Sequence, residues 1–348
     1  MIKTDRLRIA ITGFYGAGNS GDEAMLHNLV FKIKQRVPDA VILVATDRIG
    51  DWQHDDVYYM SALDRAKLRE TDIFIVGGGD LGFGFGWNLL PWAKRFKNKC
   101  IMMGSGINRT WRDPNFKTAI TSMLGLFDKI YVRDEDSALF LNDLGVYNKY
   151  ATDMSFDLCQ VPYVFRKSEK HITLCIRETE SKYESQMLDC AIRVIRKVTT
   201  DGFTTTILPL CEEDAIRCDK ISSFFNDKVQ LIHTPDPEQH KYIIANSNYL
   251  VSLGRLHSLI YATDTCTPMI GMSYPVVEEY SKINAWMKHI DLERFHLDFS
   301  PSIKQFTEKW THMRAHVVAV KDILQKQRDR HIKLNNDQFD DVIGLVGE

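Results

Sequence analysis

No stretch of the sequence approaches the ~20 consecutive apolar residues that a bilayer-spanning helix requires. The opening, Met1-Ile2-Lys3-Thr4-Asp5-Arg6, runs straight into a strand pattern and carries no signal-peptide pattern. An excess of charge is also missing: 44 Lys and Arg against 46 Asp and Glu give a net charge of −2. That balance excludes an overall basic footprint for nucleic acid. Cysteine is sparse and unpatterned. The seven thiols, at 100, 159, 175, 190, 211, 218 and 266, form no C-x-x-C, and no His lies at zinc spacing from a Cys pair. Cys100, Cys175 and Cys266 sit in or beside apolar runs, where a free thiol packs as a small hydrophobe. Low complexity, internal repeats and highly charged tracts are absent too, so long disorder is not expected. What is present is 348 residues with 44% hydrophobic and 26% charged side chains. The expectation is a soluble cytoplasmic protein of two domains with reduced thiols.

Short β-branched runs alternate with amphipathic stretches from the start, which predicts βα units and mostly parallel sheets. The first series of strands is Leu7–Thr12, Ala40–Thr46, Asp72–Val76, Lys99–Met103 and Lys129–Val132. Between the first two, Ala24 to Ile33 carries apolar residues at helical spacing, and Pro38 marks the helix end. A second series follows a linker at Cys159–Lys170: His171–Ile176, Phe203–Leu208, Val229–Ile232, Tyr249–Leu253 and Pro268–Met272. From Ile303 to about Arg330 the pattern is one or two polar amphipathic helices. The predicted fold class is α/β, with two doubly wound, Rossmann-like domains facing a cleft. Residues 1–165 form the first domain, 166–300 the second, and 301–348 a helical tail.

Three glycine turns follow strands of the first domain. The first, Gly13-Phe14-Tyr15-Gly16-Ala17-Gly18-Asn19-Ser20-Gly21-Asp22-Glu23, opens a helix. Gly16-x-Gly18-x-x-Gly21 formally matches a dinucleotide fingerprint, and Asp47 lies where a ribose-binding acid would sit. Against that stand Asp22 and Glu23, two negative charges at the helix N-terminus where a pyrophosphate needs bare N–H groups. Capping by Ser20 or Asp22 is the plainer alternative. The second turn is Gly77-Gly78-Gly79-Asp80-Leu81-Gly82-Phe83-Gly84, and the third is Gly104-Ser105-Gly106-Ile107-Asn108. Glycine this dense lets a backbone approach a ligand closely or take positive φ, so the three turns read as a binding rim on one sheet edge.

The second domain carries Ser252-Leu253-Gly254-Arg255-Leu256-His257-Ser258, a strand running into a helix. Arg255 and His257 flank that turn, beside free helix N–H groups and the positive end of a dipole. Arg can grip a carboxylate or phosphate in two places, and His257 supplies a proton donor near neutral pH. Arg177 ends the first strand of the domain and points to the same edge.

These segments occur in order with Val132-Arg133-Asp134-x-Asp136-Ser137 and Thr152-Asp153. Together they resemble the polysaccharide pyruvyl transferase family from residue 7 to about 280. The resemblance implies a fold similar to the two-domain GT-B glycosyltransferases. It also implies transfer of an enolpyruvyl-derived group from phosphoenolpyruvate to two hydroxyls of a sugar, leaving a pyruvate ketal and phosphate. Carried over by position, it puts Arg177, Arg255 and His257 around phosphoenolpyruvate. Gly18, Asn19, Gly21, Asp22, Gly78, Gly79 and Asp80 then face the acceptor, with His257 and Asp22 as the acid and base in either order. No metal and no cofactor beyond the donor substrate is expected. Two segments depart from the family pattern: Asp80-Leu81-Gly82-Phe83, and Tyr274-Pro275-Val276-Val277, where many relatives have a basic residue.

Three other readings stay open at this stage. A GT-B glycosyltransferase would use Arg255 on a nucleotide sugar, and a nicotinamide-dependent oxidoreductase would use the glycine fingerprint. A non-catalytic glycan-binding protein would stack Tyr15, Phe83, Phe85 and Trp87 on sugar rings. The acidic run Cys211-Glu212-Glu213-Asp214 reads as a solvated loop or first helical turn rather than a metal site. A lipid-linked acceptor would bring peripheral membrane contact, with Arg193, Arg196 and Lys197 as candidates.

Overall fold

The computed structural model describes residues 6–46, 57–61, 64–79, 87–107, 115, 117–225, 229–273 and 281–345. The chain divides into two compact units, Met1–Leu158 with His331–Glu348, and Cys159–Arg330.

The first unit is built on a seven-stranded sheet. Its elements are β1 (Arg8–Thr12), α1 (Ser20–Arg36), β2 (Val41–Ala45), β3 (Tyr58–Met60), β4 (Ile73–Gly77), α2 (Leu90–Arg95), β5 (Lys99–Ser105), α3 (Lys117–Leu124), β6 (Lys129–Val132), α4 (Glu135–Asp143) and β7 (Lys149–Tyr150). The strand order is β3-β2-β1-β4-β5-β6-β7, and every pairing is parallel. Alternate residues of the central strands feed two separate cores. Ile9, Ile11, Ile73, Ile75, Ile101 and Met103 enter one, while Ala10, Phe74, Val76, Cys100 and Met102 enter the other. Burial on both faces is why these strands read as continuous apolar runs rather than alternating ones.

The second unit repeats the plan with β8 (His171–Ile176), α5 (Ser181–Thr200), β9 (Thr204–Ile207), α6 (Glu212–Ser222), β10 (Val229–Leu231), α7 (Pro237–Ala245), β11 (Tyr249–Leu253), α8 (Leu256–Asp264), β12 (Met269–Met272), α9 (Lys282–His289) and β13 (His296–Leu297). The sheet order is β10-β9-β8-β11-β12-β13, again parallel throughout. In each sheet the order reverses beside the first strand, between β1 and β4 and between β8 and β11. Open α/β sheets place their ligands at the carboxyl ends of strands at such a point.

The segment expected as a separate tail at 301–348 is shared between the units instead. Helix α10 (Ile303–Ala315) packs on the second unit through Trp310, whose ring meets Phe203 and Tyr249 edge-on at 5.2 and 4.9 Å. Helix α11 (Val317–Gly344) begins there as well, where Arg328 pairs with Asp264 at 3.5 Å. From His331 onward it belongs to the first unit. His331 Nδ1 lies 2.7 Å from Thr152 Oγ1, Asn335 donates to the Phe156 carbonyl at 2.8 Å, and Phe339, Val342 and Leu345 complete a core. Asp341 accepts from Lys129, Lys149 and Tyr131. Two of the contact residues, His331 and Asn335, are polar yet fully buried, so the face they form looks solvated in the sequence.

Because Phe339 is fully buried in a core shared with β1 and α1, Phe339→Ala should destabilise the fold by ~3–5 kcal/mol. Denaturant unfolding measures this, and a loss below ~1 kcal/mol would place α11 outside that core.

Candidate functional site

In the first unit the chain leaves β1 at Thr12 and turns through the glycines into α1. Asn19 is the N-cap: its backbone is extended, at φ −84 and ψ 112, and its side chain accepts from Gly21 N at 3.2 Å. The cap is therefore Asn19, not Ser20 or Asp22, because an Asn one position earlier has the side-chain reach to the second helical amide. Glu23 has a different task. Its Oε1 accepts from Gly16 N at 2.8 Å and Gly18 N at 3.3 Å. The amides that would cradle a pyrophosphate are occupied by the chain's own carboxylate, which argues against the dinucleotide reading. Burial raises the Glu23 pKa to about 7; the Gly16 and Gly18 amides oppose the shift and Asp22 adds to it.

Asp22 is 7% exposed and lies against the second glycine turn. A Cβ on Gly79, whose φ is +72, would sit 2.9 Å from Asp22 Oδ1, so only glycine allows this approach. Gly78 N donates to the Met103 carbonyl and Gly106 N to the Gly79 carbonyl, each at 2.9 Å. The turns after β1, β4 and β5 thus meet at one sheet edge. Gly18, Asn19, Gly21, Asp22, Gly78 and Gly79 all belong to it. Asp80, like Asp47, Phe83 and Phe85, lies outside the described residues. Tyr15 and Trp87 are core residues rather than stacking platforms. Tyr15 is 3% exposed and donates to the Gly77 carbonyl at 2.9 Å, and Trp87 packs edge-on against Phe127.

The segments at 132–137 and 152–153 do structural work beside this edge. Asp134 caps α4 by accepting from Ser137 N at 2.7 Å, and Ser137 Oγ accepts from Ile107 N at 2.8 Å. Arg133 and Asp153 form a buried ion pair at 3.0 Å.

In the second unit Gly254, at φ +83, turns the chain out of β11, and Arg255 becomes the N-cap of α8. The Arg255 carbonyl is pinned by the Ser252 and Ser258 hydroxyls at 2.8 and 2.7 Å. Its guanidinium makes two bonds to one carboxylate, Nε to Asp214 Oδ2 at 2.6 Å and Nη2 to Asp214 Oδ1 at 2.5 Å. Nη2 also lies 2.6 Å from Cys211 Sγ. Burial disfavours the Arg255 charge, but Asp214 outweighs burial and raises its pKa above the ordinary guanidinium value. Arg177 follows β8, and its backbone N–H donates to the Leu253 carbonyl at the end of β11. Glu178 lies between the two arginines, 3.8 Å from Arg177 Nε and 3.9 Å from Arg255 Nη2. His257 is half-buried in the first turn of α8. The three residues singled out for an anion are therefore gathered at the carboxyl ends of β8 and β11.

Asp214 is the residue of this cluster that sequence reasoning missed. It lies in the first turn of α6 and is fully buried, not solvated as its acidic neighbourhood suggests. A carboxylate three positions into a helix that follows a parallel strand was the available signal. Among the described residues, Glu178, Cys211 and Asp214 are the donor group compact enough for a metal, with ligand atoms within 4.8 Å of one another. The Arg255 guanidinium touches all three and supplies the positive charge there. Cys211 is a poor nucleophile, since burial pushes its thiol up to about 12. Of the basic residues considered for a membrane surface, Arg193 pairs with Asp189 at 3.0 Å and Lys197 with Asp201 at 2.7 Å. No helix among the described residues is long and apolar enough to cross a membrane.

The raised Glu23 pKa gives a test of the loop. Between the ordinary value of 4.5 and about 7 the folded chain holds a proton that the unfolded chain has released. Its stabilisation is full below 4.5 and is lost as the pH rises through 7. Glu23→Gln removes this titration, so its stability relative to wild type should rise by on the order of 2–3 kcal/mol between pH 4 and 8. Thermal unfolding across that range measures it, and parallel curves would contradict the assigned environment.

A search of curated proteins finds no match. Among solved structures, a putative UDP-N-acetylglucosamine 2-epimerase from Listeria monocytogenes aligns with a TM-score of 0.67 at 8% identity, covering 95% of this chain and 94% of that one. The UDP-GlcNAc 2-epimerase from Neisseria meningitidis bound to UDP-GlcNAc aligns at 0.65 and 11%, covering 98% and 100%. The MnaA–UDP structure from S. aureus aligns at 0.64 and 11%, covering 95% and 94%. Identities this low establish the fold alone: two Rossmann-like domains of the GT-B type. The family model described as polysaccharide pyruvyl transferase matches residues 19–275, which include the second and third glycine turns and the Arg-Leu-His turn. The chain belongs to the polysaccharide pyruvyl transferase family.

Proposed function

We propose that this protein transfers the enolpyruvyl-derived group of phosphoenolpyruvate onto two hydroxyls of a sugar in a polysaccharide or its precursor. The observation that carries the reading is Arg255, its side chain 11% exposed and fixed at the N-terminus of α8 beside Arg177 and His257, within the span matched by the family. Phosphoenolpyruvate carries a carboxylate and a phosphate close together. Two arginines and a helix N-terminus supply charge-assisted donors for both.

The central carbon of the donor gains bonds to two sugar oxygens and loses both its bond to the phosphate oxygen and the π bond to its methylene carbon. One hydroxyl proton ends on the methylene carbon, making a methyl group, and the other leaves with the phosphate. On the donor side, Arg177 and Arg255 hold the anionic groups and His257 protonates or stabilises the departing phosphate. On the acceptor side, Asp22 takes a hydroxyl proton; Gly79 lies against its carboxylate, where any side chain would collide with it. Removing one preorganised donor of this kind typically costs on the order of 100- to 1000-fold in rate.

Two of the solved neighbours hold UDP or UDP-GlcNAc, which makes a nucleotide sugar the second donor to test. Incubation with phosphoenolpyruvate and a panel of saccharides, followed by phosphorus and proton NMR, should show inorganic phosphate appearing together with a ketal methyl signal. Arg255→Ala and His257→Ala should each lower the rate at least 100-fold. Wild-type turnover in both variants, or release of UDP from a nucleotide sugar instead, would overturn the reading.

A further inference from the structure

We infer that Asp214 is a positioning residue for the anion site, setting which edge of Arg255 meets the ligand. The inference rests on the reading of Arg177, Arg255 and His257 as the donor side. Each Asp214 oxygen accepts one backbone and one guanidinium bond. Oδ1 takes Glu178 N at 2.8 Å and Arg255 Nη2 at 2.5 Å, and Oδ2 takes Leu210 N at 3.2 Å and Arg255 Nε at 2.6 Å. One carboxylate therefore ties together the chain after β8, the chain after β9 and the turn after β11. Arg255 Nη1 takes no part in these bonds.

The geometry has a chemical consequence. A free guanidinium presents a two-nitrogen fork to an anion, but here the Nε–Nη2 edge is committed to Asp214. The remaining N–H groups on the Nη1 side are held in one direction before any ligand arrives. A long side chain with many rotamers is thereby fixed in advance, which removes much of the ordering cost of binding. Asp214 also cancels most of the Arg255 charge, so anion recognition here depends on directed donors and the α8 terminus more than on net positive charge. Arg177, whose side chain is 37% exposed, is the more adaptable of the two arginines.

A double-mutant cycle tests the inference by calorimetric titration with two probes, phosphoenolpyruvate and inorganic phosphate. Asp214→Asn keeps the shape of the side chain but removes the carboxylate. Alone it should weaken binding about tenfold or more. In an Arg255→Ala background it should change binding less than twofold, because a residue that acts through another has no effect once that other is gone. Equal losses in both backgrounds would show a general structural role and overturn the inference. Should Asp214→Asn fail to fold, Arg255→Lys replaces it. It keeps the charge but cannot make the paired bonds, so it should bind as poorly as Arg255→Ala, and near-wild-type binding would overturn the inference. Wild-type binding of phosphate without phosphoenolpyruvate would remove the substrate reading alone, leaving the cycle to be read on phosphate. Binding of neither probe would remove both.

Discussion

The interaction on which the candidate site depends is the pair of Asp214, fully buried, and Arg255, whose side chain is 11% exposed. Neither partner tolerates its position alone. An isolated buried carboxylate or guanidinium carries a desolvation penalty of several kcal/mol, which mutual attraction offsets only where the geometry is good and the remaining valences are filled. Here two oxygens face two nitrogens, and two backbone amides complete the carboxylate. The Arg255 carbonyl is fixed independently by Ser252 and Ser258. The turn after β11 is thus held at both its backbone and its side chain, and His257 inherits that rigidity from two residues away.

The same device recurs in the first unit. In each unit an acid in the first turn of a helix reaches back to the turn at the end of a neighbouring or preceding strand. Glu23 fills the nest formed by Gly16 and Gly18, and Asp214 fills the space between Glu178, Leu210 and Arg255. Both therefore neutralise a place that would otherwise attract an anion. In the first unit the Gly16 and Gly18 amides are taken by Glu23, and the acceptor proposed for the rim near Asp22 and Gly79 is a neutral, hydroxyl-rich sugar rather than a phosphate. In the second, the chain's carboxylate takes one edge of the arginine and leaves the other. This asymmetry matches the proposed division between a sugar acceptor and an anionic donor.

Much of the architecture was legible because burial on both sheet faces writes continuous apolar runs into the sequence. Ten strands and the glycine turns between them follow from that signal. The strands that escaped, β3, β7 and β13, are two or three residues long at or near sheet edges, too short for any periodicity to register. The position of Arg177, Arg255 and His257 at the ends of β8 and β11 was legible because charged residues after apolar strands stand out. Asp214 was not, since a run of acids at a helix start looks the same whether it is solvated or holds a buried arginine. Asn19 was passed over for its neighbours because N-cap position depends on where the backbone turns helical, which spacing alone leaves open by a residue. The polar contact face of α11 hid the return of the chain to the first unit, as His331 and Asn335 are buried by hydrogen bonding rather than by hydrophobicity.

The central claim is that the Arg177, Arg255 and His257 edge receives phosphoenolpyruvate. Thermal unfolding of the full chain with phosphoenolpyruvate, UDP-GlcNAc and NAD in parallel tests it without knowledge of the acceptor. Ligand at about 100 times its dissociation constant stabilises by ~2.7 kcal/mol, a shift of several degrees. The account predicts such a shift with phosphoenolpyruvate and its loss in Arg255→Ala. A shift with UDP-GlcNAc or NAD and none with phosphoenolpyruvate would contradict it.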